Sequence, residues 1–139
     1  MNSGRFIIFL PLTQAKLYEG VKKAWCIILP SLWENFPNTC LESMLLGKTI
    51  LASSAVGHVE MLQTAGSQGG LIFDWHKSND FTHKLKHILG FSTTKILELE
   101  EKARTIILKM SGHENVLSKR IVHLQKVIGQ NKDTHILHL

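Results

Sequence analysis

Glu34 and Glu42 stand eight residues apart on either side of a helix start, and their types and spacing suit the recognition of a hydroxylated, phosphorylated ligand. Residues 30–36 read Pro-Ser-Leu-Trp-Glu-Asn-Phe, and Pro37-Asn38-Thr39-Cys40-Leu41-Glu42 follows. Pro37 fits the first position of a helix. Such a start presents free backbone N–H groups and a partial positive charge, a ready site for a phosphate or diphosphate. Glu42 would lie roughly 7.5 Å along the helix axis. Helical side chains lean toward the N-terminus, so its carboxylate can reach back toward the same crevice. A carboxylate does not attract phosphate, but it accepts two hydroxyls at once, as a ribose or sugar diol presents them. An acid within the apolar stretch 40–44 is costly unless it has hydrogen-bond partners. The pattern therefore matches a nucleotide diphosphate sugar. The spacing equally allows Glu34 to be a solvated loop acid and Glu42 to face water, and at this level both readings stand.

The elements that must position these residues alternate between strand and helix. Short apolar runs near residues 6–10, 26–29, 49–52 and 71–73 read as buried strands, the first two closed by Pro11 and Pro30. Thr13 is a helix N-cap, followed by Leu17, Val21 and Ala24 at near-helical spacing. A second helix is expected over 37–46, with Leu41, Met44 and Leu45 inward and Gly47 supplying a positive φ just past its end. Residues 53–57 read as a loop, 59–64 as a short helix and 66–70 as a glycine-rich turn. Amphipathic segments follow over 81–89, 96–107 and 116–128, with 131–139 as a tail. This pattern predicts an α/β fold, a Rossmann-like parallel sheet with helices on both faces. Such sheets bind ligands at the carboxyl ends of their strands, so the loops after Leu10, Leu29, Ala52 and Phe73 are the places for chemistry.

Composition narrows the class. With 139 residues, 44% hydrophobic and 19% charged, the chain allows one globular domain and hardly two. No apolar stretch reaches the ~18 residues of a membrane span, and the run before Pro11 is too short for a secretory signal. Cys26 and Cys40 fit neither a CxxC motif nor a disulfide framework, which predicts a reduced, cytoplasmic chain. Residues 1–76 balance five bases against five acids. The whole net charge of +5 therefore lies in 77–139, with 11 bases and six acids. Interleaving with apolar residues reads as solvated helix faces; nucleic-acid binding is the rival reading. The sequence has no G-x-G-x-x-G, Walker A, G-x-S-x-G or H-E-x-x-H motif. His83 and His87 share a helix face without a third metal ligand and read as solvated. Trp33 and Phe36 suit either stacking on a ligand or packing of their loop.

The stretch from Pro30 to Ser53 resembles the E-x7-E signature of retaining glycosyltransferases of family 4, the "glycosyl transferases group 1", which have a GT-B architecture of two Rossmann-like domains. Val56-Gly57-His58-Val59-Glu60 is similar to the family's G-G-x-x-E loop, and Gly69-Gly70-Leu71-Ile72-Phe73 to its G-x-L-F strand. Leu17 to Ser31 is similar to its L-x-x-x-Y-x-x-A-D helix and following strand. The chain departs from the pattern at Trp25, Thr49 and His58. The resemblance implies a GT-B donor half over 5–128, incomplete at its N-terminal side, with 129–139 as a tail. It implies that Glu34 is the catalytic-site acid contacting the transferred sugar and that Asn35 and Phe36 present their backbone to it. Asn38 and Thr39 meet the diphosphate, and Glu42 accepts ribose hydroxyls. It further implies a UDP-, GDP- or ADP-sugar donor, no metal or other cofactor, and retaining hexosyl transfer to a polysaccharide, lipid-linked or other glycan acceptor, without nucleic acid. The acceptor domain would come in cis or trans, the setting would be cytoplasmic and allow peripheral membrane contact, and the isolated chain would be inactive. The alternative is a catalytically incomplete nucleotide-sugar-binding module.

Overall fold

The aliphatic runs of the sequence form three parallel strands in the computed structural model, which describes residues 11–63, 70–110 and 115–130. These are β1 (Ile27–Leu29), β2 (Ile50–Ser53) and β3 (Gly70–Phe73), in spatial order β1-β2-β3. Ile27 pairs with Ile50 and Ile50 with Gly70, so the strands run in step and their carboxyl ends share one edge. The strand expected near 6–10 falls outside the described residues. Among the described residues six helices surround the sheet: α1 (Gln14–Lys23), α2 (Asn38–Leu45), α3 (Val56–Gln63), α4 (Asp80–Leu89), α5 (Thr93–Met110) and α6 (Asn115–Gln130). The fold is α/β and Rossmann-like, as the alternation of elements predicts.

The central strand sorts its side chains by the two-residue period of a pleat. Ile50 and Ala52 join a core with Tyr18, Leu29, Leu41, Met44, Leu62, Ala103, Ile107 and Leu124. Leu51 joins the opposite core with Phe73, Ile88 and Ile96, against which Leu71, Phe81 and Leu85 pack. A parallel strand buried on both faces needs this continuous hydrophobicity. Both expected end signals are in place. Thr13 Oγ1 accepts from the Lys16 N–H at 3.5 Å, and Gly47 has φ +69° just beyond α2. The turn from α2 into β2 is pinned by Lys48, whose Nζ reaches Glu100 Oε1 at 2.8 Å and the Ala24 carbonyl at 3.4 Å.

Two boundaries differ from the sequence expectation, and both bear on the site. Pro37 precedes α2 rather than opening it. Its φ of −78° is helical but its ψ of 86° is not, and the Asn38 N–H donates to the Phe36 carbonyl at 2.9 Å across it. This is an inverse γ-turn, a tight bend that delays the helix by one residue. The loop expected over 53–57 is likewise shorter, only residues 54–55. Ser53 closes β2 and α3 begins at Val56, with the Ala55 carbonyl accepting from the His58 and Val59 N–H groups at 3.0 and 3.1 Å. Glycine and β-branched residues are poor helix formers, and packing overrides that weak local preference.

Thr49 ends the turn before β2 fully buried, and its hydroxyl has no hydrogen-bond partner among the described residues. An unpaired buried hydroxyl carries an uncompensated desolvation cost. Thr49→Val keeps the shape and removes that cost, so it should raise stability by about 1 kcal/mol in urea unfolding with an unchanged slope. A loss of stability would mean that the hydroxyl is satisfied.

Candidate functional site

The loop that follows β1 crosses the carboxyl edge of the sheet and is held from behind by β2 and α3. At the end of β2, the Ser53 hydroxyl donates to the Ser31 carbonyl. The same oxygen lies 3.2 Å from His58 Nδ1. With the hydroxyl proton committed to Ser31, Nδ1–H is the donor in that pair. His58 is only 1% exposed; burial depresses its pKa, against the opposing pull of the Ser53 backbone and the charge of Glu34. It therefore supports the loop as a neutral ring inside α3, not as a loop residue. At the start of the same helix the Gly57 N–H donates to the Glu34 carbonyl at 2.9 Å.

These contacts hold Glu34, partly buried, between the starts of α2 and α3. Its charge acts on both the His58 imidazole and the Cys40 thiol. Cys40 is fully buried, and its thiol is pushed up to about 12, chiefly by burial with Glu34 adding to it. Cys40 is therefore a packing residue and supplies no thiolate near neutral pH. Asn35 is exposed, Phe36 half-exposed, and Asn38 and Thr39 lie exposed on the first turn of α2, where no side chain caps the helix. Glu42 sits partly buried one turn further along. The six residues expected to form the site thus follow one another across the end of β1 and the opening turns of α2.

Sequence reasoning missed what stands behind them. Tyr18, from α1, is fully buried, and its hydroxyl accepts from Gln14 Nε2 at 2.7 Å. Burial, then the charge of Glu42, raises the Tyr18 pKa. The i, i+4 spacing of Gln14 and Tyr18 was a usable signal for their mutual bond, but nothing local links α1 to Glu42. Trp33 is 77% exposed, so it does not pack its own loop. His83 and His87 are exposed on α4, with His87 edge-on to Phe91 at 4.7 Å. Among the described residues no group of three His, Cys, Asp or Glu could hold a metal, and no helix is long and apolar enough to cross a membrane. A cavity of about 340 Å³ lies away from the site, lined by Lys22, Arg104, Gln125 and neighbouring apolar residues.

The parallel strands, the helices packed around them and the polar loop gathered at the carboxyl edge define a Rossmann-like domain with its candidate site at the strand ends. A family model described as "Glycosyl transferases group 1" matches residues 2–90, which include the whole stretch from Glu34 to Glu42. The chain belongs to this glycosyltransferase family. No curated protein matches it.

The closest approach in the site is between backbones. A Cβ on Gly57 would lie 2.5 Å from the Asn35 carbonyl oxygen and 2.8 Å from that of Glu34. Backbone cannot swing aside as a flexible side chain can, so Gly57→Ala must displace the loop that carries Glu34. Overpacking of this kind costs about 1–3 kcal/mol. The thermal midpoint should fall by several degrees, and the Asn35 amide resonance should move. An unchanged midpoint and an unmoved Asn35 amide would refute the contact.

Proposed function

We propose that this chain is the donor half of a retaining, GT-B-type hexosyltransferase of family 4, using a UDP-, GDP- or ADP-sugar. The observation that carries the proposal is the placement of Glu34. Within the family match, α3 fixes its backbone, and its charge reaches Cys40 in the first turn of α2, a helix start that no side chain caps. The exposed turn at Asn38 and Thr39 receives the diphosphate through backbone N–H groups and the helix dipole. Glu42 accepts the ribose hydroxyls and Glu34 those of the sugar. As the bond from the anomeric carbon to the diphosphate oxygen breaks, positive charge grows on the sugar ring, and the fixed Glu34 carboxylate stabilises it. The acceptor oxygen bonds to the face the diphosphate leaves, and its proton passes to the departing phosphate oxygen. Glu34 is not a nucleophile in this scheme.

The acceptor, a polysaccharide, lipid-linked or other glycan, is held by a second domain in cis or trans, in a cytoplasmic setting that allows peripheral membrane contact. Positioning two reactants contributes ~7–11 kcal/mol to lowering a barrier. The isolated chain should therefore bind donor without enzyme-like turnover; transfer at ~1 per second or faster by the purified chain alone would contradict the half-site reading.

The two glutamates should separate by ligand. Calorimetry with UDP, GDP and ADP and their glucose conjugates should find Glu42→Gln about tenfold or more weaker for nucleotide and donor alike. Glu34→Gln should weaken only the sugar-bearing ligand. The same pattern in both variants would overturn the assignment of sugar to Glu34 and ribose to Glu42.

A further inference from the structure

The cavity of about 340 Å³ lies where the end of α2 meets α1, α5 and α6. α2 opens beside the end of β1 and closes at Leu45, a short turn before β2 begins at Ile50. Its last residues therefore lie at the amino edge of the sheet, across from the strand ends and Glu34. Leu46 after α2, Leu108 of α5 and Ile128 of α6 give the cavity apolar walls. Lys22 of α1, Arg104 of α5 and Gln125 of α6 supply its polar groups, and among the described residues no carboxylate lines it. A few polar groups on mostly apolar walls, at this volume, are what a small-molecule site needs.

The protein does not neutralise these two cations. Among the described residues, neither the Lys22 nor the Arg104 side chain has an ion pair or hydrogen bond. Glu100, one turn before Arg104 on α5, is held instead by Lys48 Nζ at 2.8 Å. Arg104 is nonetheless placed. A Cβ on Gly47 would stand 2.7 Å from its Nη2 and 3.4 Å from its Cζ and Nε, so the guanidinium lies close against bare backbone. Gly47 has φ +69° just past α2, where the last carbonyls of the helix favour a cation. This placement leaves the guanidinium N–H donors available, and their fork suits the oxygens of a phosphate. Arg104 also belongs to the excess of bases over 77–139, which the strand-end site does not use.

We propose that this cavity binds an amphipathic phosphate, a phosphate monoester on a short apolar body. Arg104 and Lys22 hold the head, and Leu46, Leu108 and Ile128 surround the body. Two cations match the charge of about −1.5 to −2 that a phosphate monoester carries near neutral pH. Inorganic phosphate would gain the head contacts alone and leave the apolar walls in water. The site is separate from the strand-end crevice and does not depend on the donor-half reading. Its ligand is either a free molecule or the head of a bilayer lipid, which share this chemistry.

The test titrates the 139-residue chain with hexyl phosphate and, separately, with inorganic phosphate, followed by amide resonances and the Arg104 Nε–H. Hexyl phosphate should give saturable shifts at Leu46, Arg104, Gln125 and Ile128. It should bind about tenfold or more tighter than inorganic phosphate, because each buried methylene adds affinity. Arg104→Gln should weaken hexyl phosphate about tenfold, and Lys22→Gln should weaken it several-fold. Both residues are exposed, so both variants should fold; Lys22→Gln, on α1, decides if Arg104→Gln disturbs the end of α2. No saturable binding of hexyl phosphate, equal affinity for the two phosphates, or affinity unchanged in the folded variants would overturn the proposal. Sedimentation with phosphatidylcholine vesicles, with and without phosphatidic acid, then separates the sources. Capture by phosphatidic acid that is lost in Arg104→Gln assigns the head to a lipid. Hexyl phosphate binding without such capture assigns it to a free molecule, and either result supports the site.

Discussion

The candidate site depends on one close approach of backbones. The Gly57 N–H at the start of α3 donates to the Glu34 carbonyl at 2.9 Å, and no Cβ fits between them. A glycine in a helix costs stability relative to alanine; here it lets a helix start seat directly against the β1 loop. The contact requires β1 and β2 to end level, which the Ile27–Ile50 register ensures. It also requires β2 to hand over to α3 within two residues, which the bonds from His58 and Val59 to Ala55 accomplish. Ser53 and His58 then close the same loop from the side through Ser31.

Burial does the rest of the work at the site. The sheet separates two apolar layers, and the loop rests on the margin of one of them, so Glu34 and Glu42 are neither free in water nor sealed in the core. Partial burial strengthens hydrogen bonds to a carboxylate while leaving one side open to a ligand. The same environment keeps His58 neutral and Cys40 a thiol, so neither contributes charge or nucleophile near neutral pH.

Much of this was legible in the sequence because the signals were local. The apolar runs that became β1, β2 and β3, the Thr13 cap and the left-handed Gly47 each depend on a few adjacent residues, and the order of strands and helices implies the parallel sheet. The stretch 34–42 was legible as a unit for the same reason. Pro37 misled by one residue because its φ suits both a helix and the γ-turn it adopts, and only ψ distinguishes them. Val56-Gly57 read as a loop because propensity cannot see the carbonyls that α3 packs against. The action of the Glu42 charge on Tyr18 spans two helices, and the exposure of Trp33 depends on what surrounds its loop. Neither property is local.

The central claim is that a nucleotide sugar binds across residues 34–42 with α3 behind it. Amide chemical-shift mapping of the chain, titrated with UDP-, GDP- and ADP-glucose, tests it most directly. Saturable shifts are expected for at least one of the three, clustered on Asn35, Asn38, Thr39, Glu42 and Gly57. Shifts concentrated instead around Arg104 and Gln125, or none at millimolar ligand, would contradict it.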